Sequence, residues 1–289
     1  MITVAIPTYN RGVIVVDTVR RLLALDPPPD GIVVVDQSKE PNAELARLHD
    51  ARCIQLIRLD APSIPHAMNV ALLAATTPLV LFLDDDVEPS PRLVAEHAAA
   101  HAEADVWAVV GQILQPGESP VDVQQPADDL EFRFNASEGR LVRNVMAGNL
   151  SVKRERAIAI GGFDENFVLS AYRFETDFAL RLTAAGGMIR FEPRASLRHL
   201  KLSTGGLRSF GDHRSSPSPA HSAGDYYFAH FHHRFWPYAA RRLAKNVATR
   251  YHLAHPWMIP TKLVGELRGL LLARRLARAG RKLLEGVRR

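Results

Sequence analysis

LVLFLDDD, residues 79–86, is an unbroken run of five apolar residues that ends in three consecutive aspartates. Apolar positions without alternation describe a strand covered on both faces, as in the middle of a parallel sheet. In open α/β sheets ligands collect at the carboxyl ends of the strands, and Asp84, Asp85 and Asp86 stand at that end. Adjacent carboxylates repel one another unless a cation offsets their charge, and hard divalent cations prefer oxygen ligands. The run therefore points to a Mg²⁺ or Mn²⁺ site of D-x-D type. The alternative is a solvated acidic turn capping the next helix. A phosphatase-type D-x-D nucleophile fits less well, because it wants Thr or Val where Glu88 stands and sits on a first strand, not about the fourth.

Outward from this run, residues 3–7, 32–36 and 54–59 read as further strands. The segments 12–25, 42–49 and 66–75 between them carry apolar residues at helical spacing. Strands alternating with crossover helices predict an α/β, Rossmann-like half. A helix over 91–102 and a strand over 106–114 follow, then a Pro/Gly/Gln-rich loop over 115–130 and strands within 131–143. A short helix near 153–160, a stronger one over 174–185 stopped by Gly186-Gly187, and a strand over 188–192 complete this half. Residues 202–224, rich in Ser, Pro and Gly, lack apolar periodicity and are expected to act as a lid; the chain beyond is helical. The expected division is 1–110, 111–210 and 211–289.

The chain has 289 residues, a formal net charge of +5 and a single cysteine, Cys53, so no internal disulfide can form. The longest uncharged apolar stretch falls short of the ~20 residues that span a bilayer, and the N-terminus reads as a core strand rather than a secretory signal. A cytoplasmic location is expected. Residues 262–289 hold nine Lys or Arg against Glu266 and Glu285. On a helical wheel Arg274, Arg275, Arg278, Arg281, Lys282, Arg288 and Arg289 fall opposite Leu272, Leu276, Leu283, Leu284 and Val287. Such a helix suits peripheral contact with an anionic membrane at its inner face; packing on the catalytic domain, or on a second copy in a homodimer, is the alternative. Nucleic acid is not an expected partner, since no recognition module accompanies the basic tail.

AIPTYNR (5–11), VVVDQS (33–38), NVALLAATTPLVLFLDDDVEP (69–89), GNLSVKRE with GGFDENF (148–155 and 161–167) and FETDFALRL (174–182) occur in the order found in family 2 glycosyltransferases. The chain resembles that family over about residues 1–205. The resemblance implies a GT-A fold with a mixed, mainly parallel sheet and a C-terminal helical extension. It also implies metal-assisted, inverting transfer from a nucleoside diphosphate sugar, UDP sugars favoured, to a saccharide, lipid-linked or small-molecule acceptor, in polysaccharide or cell-envelope synthesis.

By that similarity Pro7, Thr8, Tyr9, Arg11 and Asp36 surround the nucleotide, and Asn69, Asp84 and Asp85 complete the donor site. Asp84 and Asp86, with His199, hold the metal, while Asn149, Asp164 and Asp177 face the acceptor. Glu175 falls on the catalytic-base position, where a carboxylate takes the acceptor hydroxyl's proton. Two other readings stay open: a catalytically silent sugar-binding or scaffold relative, and a sugar nucleotidyltransferase, although PTYNRG is not the Gly-rich phosphate loop of the latter.

Overall fold

A computed structural model of the chain describes residues 1–122, 132–202, 205–206, 212 and 214–285. In chain order the strands are β1 (Ile2–Thr8), β2 (Gly31–Asp36), β3 (Gln55–Arg58), β4 (Leu79–Leu83), β5 (Val87–Pro89), β6 (Val106–Leu114), β7 (Arg140–Val142), β8 (Asn149–Lys153) and β9 (Met188–His199). The helices are α1 (Val13–Leu23), α2 (Ala43–Asp50), α3 (Ile64–Ala74), α4 (Leu93–Ala100), α5 (Arg154–Ala159), α6 (Phe174–Ala184), α7 (Ala223–His232), α8 (Phe235–Val247), α9 (Arg250–Ala254) and α10 (Ile259–Arg278).

All nine strands join one sheet in the order β3-β2-β1-β4-β8-β6-β9-β5, with β7 on β9. β3, β2, β1 and β4 are parallel; β8 reverses, and β6 and β9 return to the first direction. The sheet is thus mixed and mainly parallel, as the sequence predicts. Its central strands are buried on both faces: Val4, Ala5, Ile6, Val34, Val35, Val80, Leu81 and Phe82 are all fully shielded. Side-chain caps fix two helix starts, Asn42 accepting from the Glu44 and Leu45 amides and Ser63 from that of His66.

The periodicity reading misses β5, β8 and the far end of β9. β8 lies in GNLSVK, where Asn149 and Ser151 break the apolar pattern yet are themselves buried. β9 runs seven residues past the expected end at 192, as far as His199, through a register shift between Gly111 and Gln112 on its partner β6. That extension carries β9 to the acidic run, because β5 pairs Val87 with His199. Of the loop over 115–130 and the strands within 131–143, residues 123–131 lie outside the described residues; β7 is the strand found in the remainder. Among the described residues no helix is long and apolar enough to cross a membrane.

The tail departs from the sequence expectation. α10 ends at Arg278, and Gly280, at φ +84°, turns the chain out of the helix. Residues 281–285 are non-helical and pack back on the sheet domain: the Leu284 amide donates to the Gly161 carbonyl at 2.8 Å, and the Glu165 amide to that of Lys282 at 2.9 Å. Arg281, Lys282, Leu283 and Leu284 therefore do not extend the face of a basic helix. The sequence wheel failed there because it assumed one helix through Gly280. Val287, Arg288 and Arg289 lie outside the described residues.

Candidate functional site

The loop after β4 turns two of its three carboxylates inward. Asp85, 6% exposed, accepts from the Thr8 hydroxyl at 2.7 Å and pairs with Arg11 Nε at 3.0 Å, and its carbonyl accepts from the Thr18 hydroxyl at 2.8 Å. Burial pushes its carboxyl up to about 7, against the opposing pull of Arg11 and Thr8. Asp86, 1% exposed, accepts from the Leu202 amide at 3.1 Å and lies 3.4 Å from Arg11 Nη2. Burial raises its carboxyl, but the His199 ring, the Leu202 amide and Arg11 outweigh that and hold it below the usual range. Asp84 is the open member, with a side chain 54% exposed.

His199 Nε2 stands 3.1 Å from Asp86 Oδ1 and 3.7 Å from Asp84 Oδ2, while Nδ1 meets Gln115 Oε1 at 3.1 Å. The neighbouring Asp86 raises the imidazole's affinity for a proton. Asp86 Oδ1 is nonetheless buried without a properly directed hydrogen bond. Among the described residues no group of three or more His, Cys, Asp or Glu side chains is placed so that it could hold a metal ion. Asp84, Asp86 and His199 still offer the hard oxygen and imidazole donors that Mn²⁺ or Mg²⁺ accepts.

Thr8 and Arg11, expected at the nucleotide, grip the acidic run: Thr8 is buried, and Arg11 also donates to the Leu202 carbonyl at 3.2 Å. Above them the Gly206 amide donates to the Tyr9 carbonyl at 2.9 Å, and a side chain at Gly205 would collide with the Asn10 carbonyl. Of the expected lid over 202–224, residues 203–204, 207–211 and 213 lie outside the described residues.

Pro7 and Tyr9 are partly exposed at the end of β1. Asp36 closes β2, 1% exposed; Oδ1 accepts from the Ser38 amide at 2.9 Å, and Oδ2 has no hydrogen-bond partner. A cavity of about 660 Å³ opens beside it, bounded by Asn10, Gly12, Ser38, Pro41 and Asn42.

Glu175 sits in the first turn of α6 and accepts from the Ala147 amide at 2.9 Å. The next residue, Gly148, presses on Asp84 so closely that any side chain there would strike the carboxylate. The turn at 146–148 thus separates Glu175 from the acidic run, with one acid on each flank. No local pattern in the sequence announces that apposition.

Three further residues serve the framework. Asn69, 1% exposed, donates to the Phe163 carbonyl at 2.8 Å and to Glu165 Oε1 at 3.0 Å, and accepts from the Phe163 amide at 2.8 Å. Its side chain holds the GGFDE turn. Asn149, fully buried, donates to the Gln112 and Ala195 carbonyls at 3.0 and 2.8 Å and accepts from His97 Nε2 at 2.8 Å. It ends a buried relay in which His101, Ser151 and His97 are joined by contacts of 2.8 and 2.9 Å. Burial pushes the two imidazoles down to about 4 for His97 and about 3 for His101, so both are neutral.

Asp164 and Asp177, expected at the acceptor, are also fully buried, and both meet the C-terminal tail. Asp177 accepts from Arg281 Nη1 at 2.5 Å, His232 Nε2 at 2.7 Å and Arg181 Nε at 2.8 Å. Asp164 accepts from the Tyr227 hydroxyl at 2.9 Å and the Asn166 and Lys282 amides at 3.0 Å, with Arg281 Nη1 at 3.3 Å. Burial opposes ionisation of Asp177, but the hydrogen bond with His232 and the charges of Arg181 and Arg281 overcome it and bring its carboxyl down to about 2. Arg281, Tyr227 and His232 were not legible as partners, because they lie on the far side of more than fifty residues of chain.

Residues 3–161, more than half of the chain, match the family described as Glycosyl transferase family 2. The chain belongs to glycosyl transferase family 2. No curated protein matches its sequence significantly. Among solved structures it is similar to GalNAc-T7 with UDP, GalNAc and Mn²⁺ (13% identity over 69% of this chain and 44% of that one, TM-score 0.57). It is also similar to the mannosyltransferase PcManGT from Pyrobaculum calidifontis in complex with GDP-Man and Mn²⁺ (21%, 96% and 79%, 0.57). S. aureus TarS 1–349 in complex with UDP-GlcNAc is a third (16%, 91% and 71%, 0.56). At these identities the likeness establishes the GT-A fold. This chain spans less than half of the GalNAc-T7 chain. The chain is thus a GT-A glycosyltransferase of family 2, and the matched stretch contains the acidic run but stops short of Glu175.

Proposed function

We propose that the protein is an inverting, metal-assisted transferase that moves a sugar from a nucleoside diphosphate, UDP favoured, to an acceptor hydroxyl. The observation that carries this reading is the apposition of Glu175 and Asp84 across the 146–148 turn. A base on one flank and a cation site on the other match the two charges that develop in a single displacement.

The nucleoside would enter the cavity beside Asp36, whose unpartnered Oδ2 can accept a base N–H, and Tyr9, next in the chain to the lining residue Asn10, can stack on the ring. Asp84 and Asp86, with His199, would hold Mn²⁺ or Mg²⁺, which when bound supplies positive charge against the departing diphosphate. Arg11 and Thr8 keep the acidic run in place through Asp85. Glu175 would accept the acceptor hydroxyl's proton as that oxygen attacks the anomeric carbon from the face opposite the diphosphate. The complexes of PcManGT with GDP-Man and Mn²⁺ and of TarS with UDP-GlcNAc support a nucleotide-sugar donor and a divalent cation on this fold. The acceptor is a saccharide, a lipid-linked sugar or a small molecule, and a lipid-linked one would bring the enzyme to a membrane surface.

Calorimetry with UDP and Mn²⁺ tests the donor site: metal-dependent binding is the expected result, and its absence for UDP and GDP alike would refute the reading. Loss of donor turnover in Glu175→Gln, with binding intact, separates a transferase from a silent relative.

A further inference from the structure

α10 is built inside out. Its inward stripe is Gly265, Glu266, Gly269, Ala273 and Ala277, all buried, whereas Leu263, Val264, Leu267 and Leu271 are 40–57% exposed. The orientation is enforced rather than incidental. A Cβ on Gly265 would lie 2.9 Å from the Ser216 carbonyl, and one on Gly269 would collide with the Ser222 hydroxyl. Rotating the helix to bury the leucines would bring larger side chains into that contact. Inside, Glu266 is tied to Lys262 at 2.9 Å, to Arg242 at 3.2 Å and to the Tyr226 hydroxyl at 2.8 Å.

At about 100° per residue Leu263, Leu267, Leu271 and Val264 share one arc of roughly 140° with Arg274, Arg278, Arg275 and Arg268. The apolar residues lead and the arginines follow along the helix. Beside them Trp236 is 60% exposed with Arg274 over its ring, 5.2 Å from the centroid, and Trp257, 65% exposed, stands in the turn that opens α10. Residues 226–285 hold twelve Lys or Arg against two acids, Glu266 and Glu285, of which Glu266 is buried in its own ion pairs. Exposed leucines, tryptophans and arginines, with no exposed acid within α10, form the chemistry of the boundary between lipid headgroups and acyl chains. A second copy set against the same face would juxtapose like charges.

We infer that the outer face of α10, with Trp236 and Trp257, docks the protein on an anionic lipid surface. The docking face ends at Arg278, because residues 281–285 turn back onto the sheet domain. This contact does not depend on the transferase reading and is measured without turnover.

The test is flotation of the full chain with phosphatidylcholine vesicles and with vesicles containing phosphatidylglycerol, alongside tryptophan emission. Binding to anionic vesicles alone, a blue shift, and weakening by salt are expected. The Leu267→Asp/Leu271→Asp and Arg275→Glu/Arg278→Glu pairs should each lower the affinity at least about tenfold. Both alter exposed side chains, so unchanged melting temperature and nucleotide binding serve as the folding controls. Equal binding to neutral vesicles, or no effect of either pair, overturns the assignment. So does a dimer, seen by sedimentation, that the leucine pair dissociates in a protein with no vesicle affinity.

Discussion

Arg281 is the point at which the C-terminal strap can be detached from the catalytic half without touching the site itself. Its guanidinium lies against two fully buried carboxylates and covers Phe231, 4.1 Å from the ring centroid. Removing one partner of a buried pair costs roughly 3–5 kcal/mol when the other charge is stranded. Asp177 keeps Arg181 and His232, Asp164 keeps two amides and a phenol, and the Arg281 side chain is 18% exposed, so the cost belongs below that range. With roughly 0.5–1 kcal/mol for the lost cation–π contact, Arg281→Met should destabilise the fold by about 2–3 kcal/mol. For a chain of this size that lowers the melting temperature by roughly 4–10 °C. Because Asp177 sits two residues beyond Glu175 on α6, kcat should fall while UDP affinity holds. Scanning calorimetry, UDP titration and a double-mutant cycle with Asp177→Asn measure these quantities, the cycle giving a coupling of about 1–2 kcal/mol. A melting temperature within about 1 °C of wild type, or additive mutations, would refute the strap's role.

Glu175→Gln should lower kcat by roughly 10²–10⁴-fold, the usual contribution of a positioned base, with the UDP dissociation constant unchanged; a mutant as fast as wild type rules Glu175 out as the base. Gly148→Ala should weaken metal-dependent UDP binding by about tenfold or more, near 1.4 kcal/mol, by displacing Asp84, and wild-type affinity would contradict the packing described. His97 titrates near 6.5 when unfolded but at about 4 when folded, so its contribution is intact above pH 6.5 and is lost as pH falls toward 4. The full loss is about 3 kcal/mol. Urea midpoints across that window should drop less steeply in His97→Gln than in the wild type, and parallel curves would count against a neutral buried imidazole.

The first four strands and their helices were legible because their signals are local: apolar runs, caps and Gly or Pro stops act within a few residues. The same holds for the placement of the acidic run at the carboxyl end of a core strand, read from LVLFL alone. β8 was not legible, since its Asn149 and Ser151 are buried polar groups satisfied by His97, His101 and carbonyls distant in the chain. Polar satisfaction of that kind is a property of the assembled fold. Asn69, Asp164 and Asp177 illustrate the same limit, each being a hydrogen-bonding residue in a family motif whose partners the motif does not name.

By itself the sequence determined the parallel half, the family and the identity of the acids. Tertiary structure decided which acids stand together. Asp84 and Glu175 flank one turn because β8 inserts antiparallel beside β4, and His199 joins them because β9 runs on to pair with β5. The basic tail was divided in the same way, its arginines on α10 remaining outside while Arg281 turned inward. A helical wheel records angle along one axis, and Gly280 ends that axis, so only packing could tell the exposed half of the tail from the half that closes over Asp177.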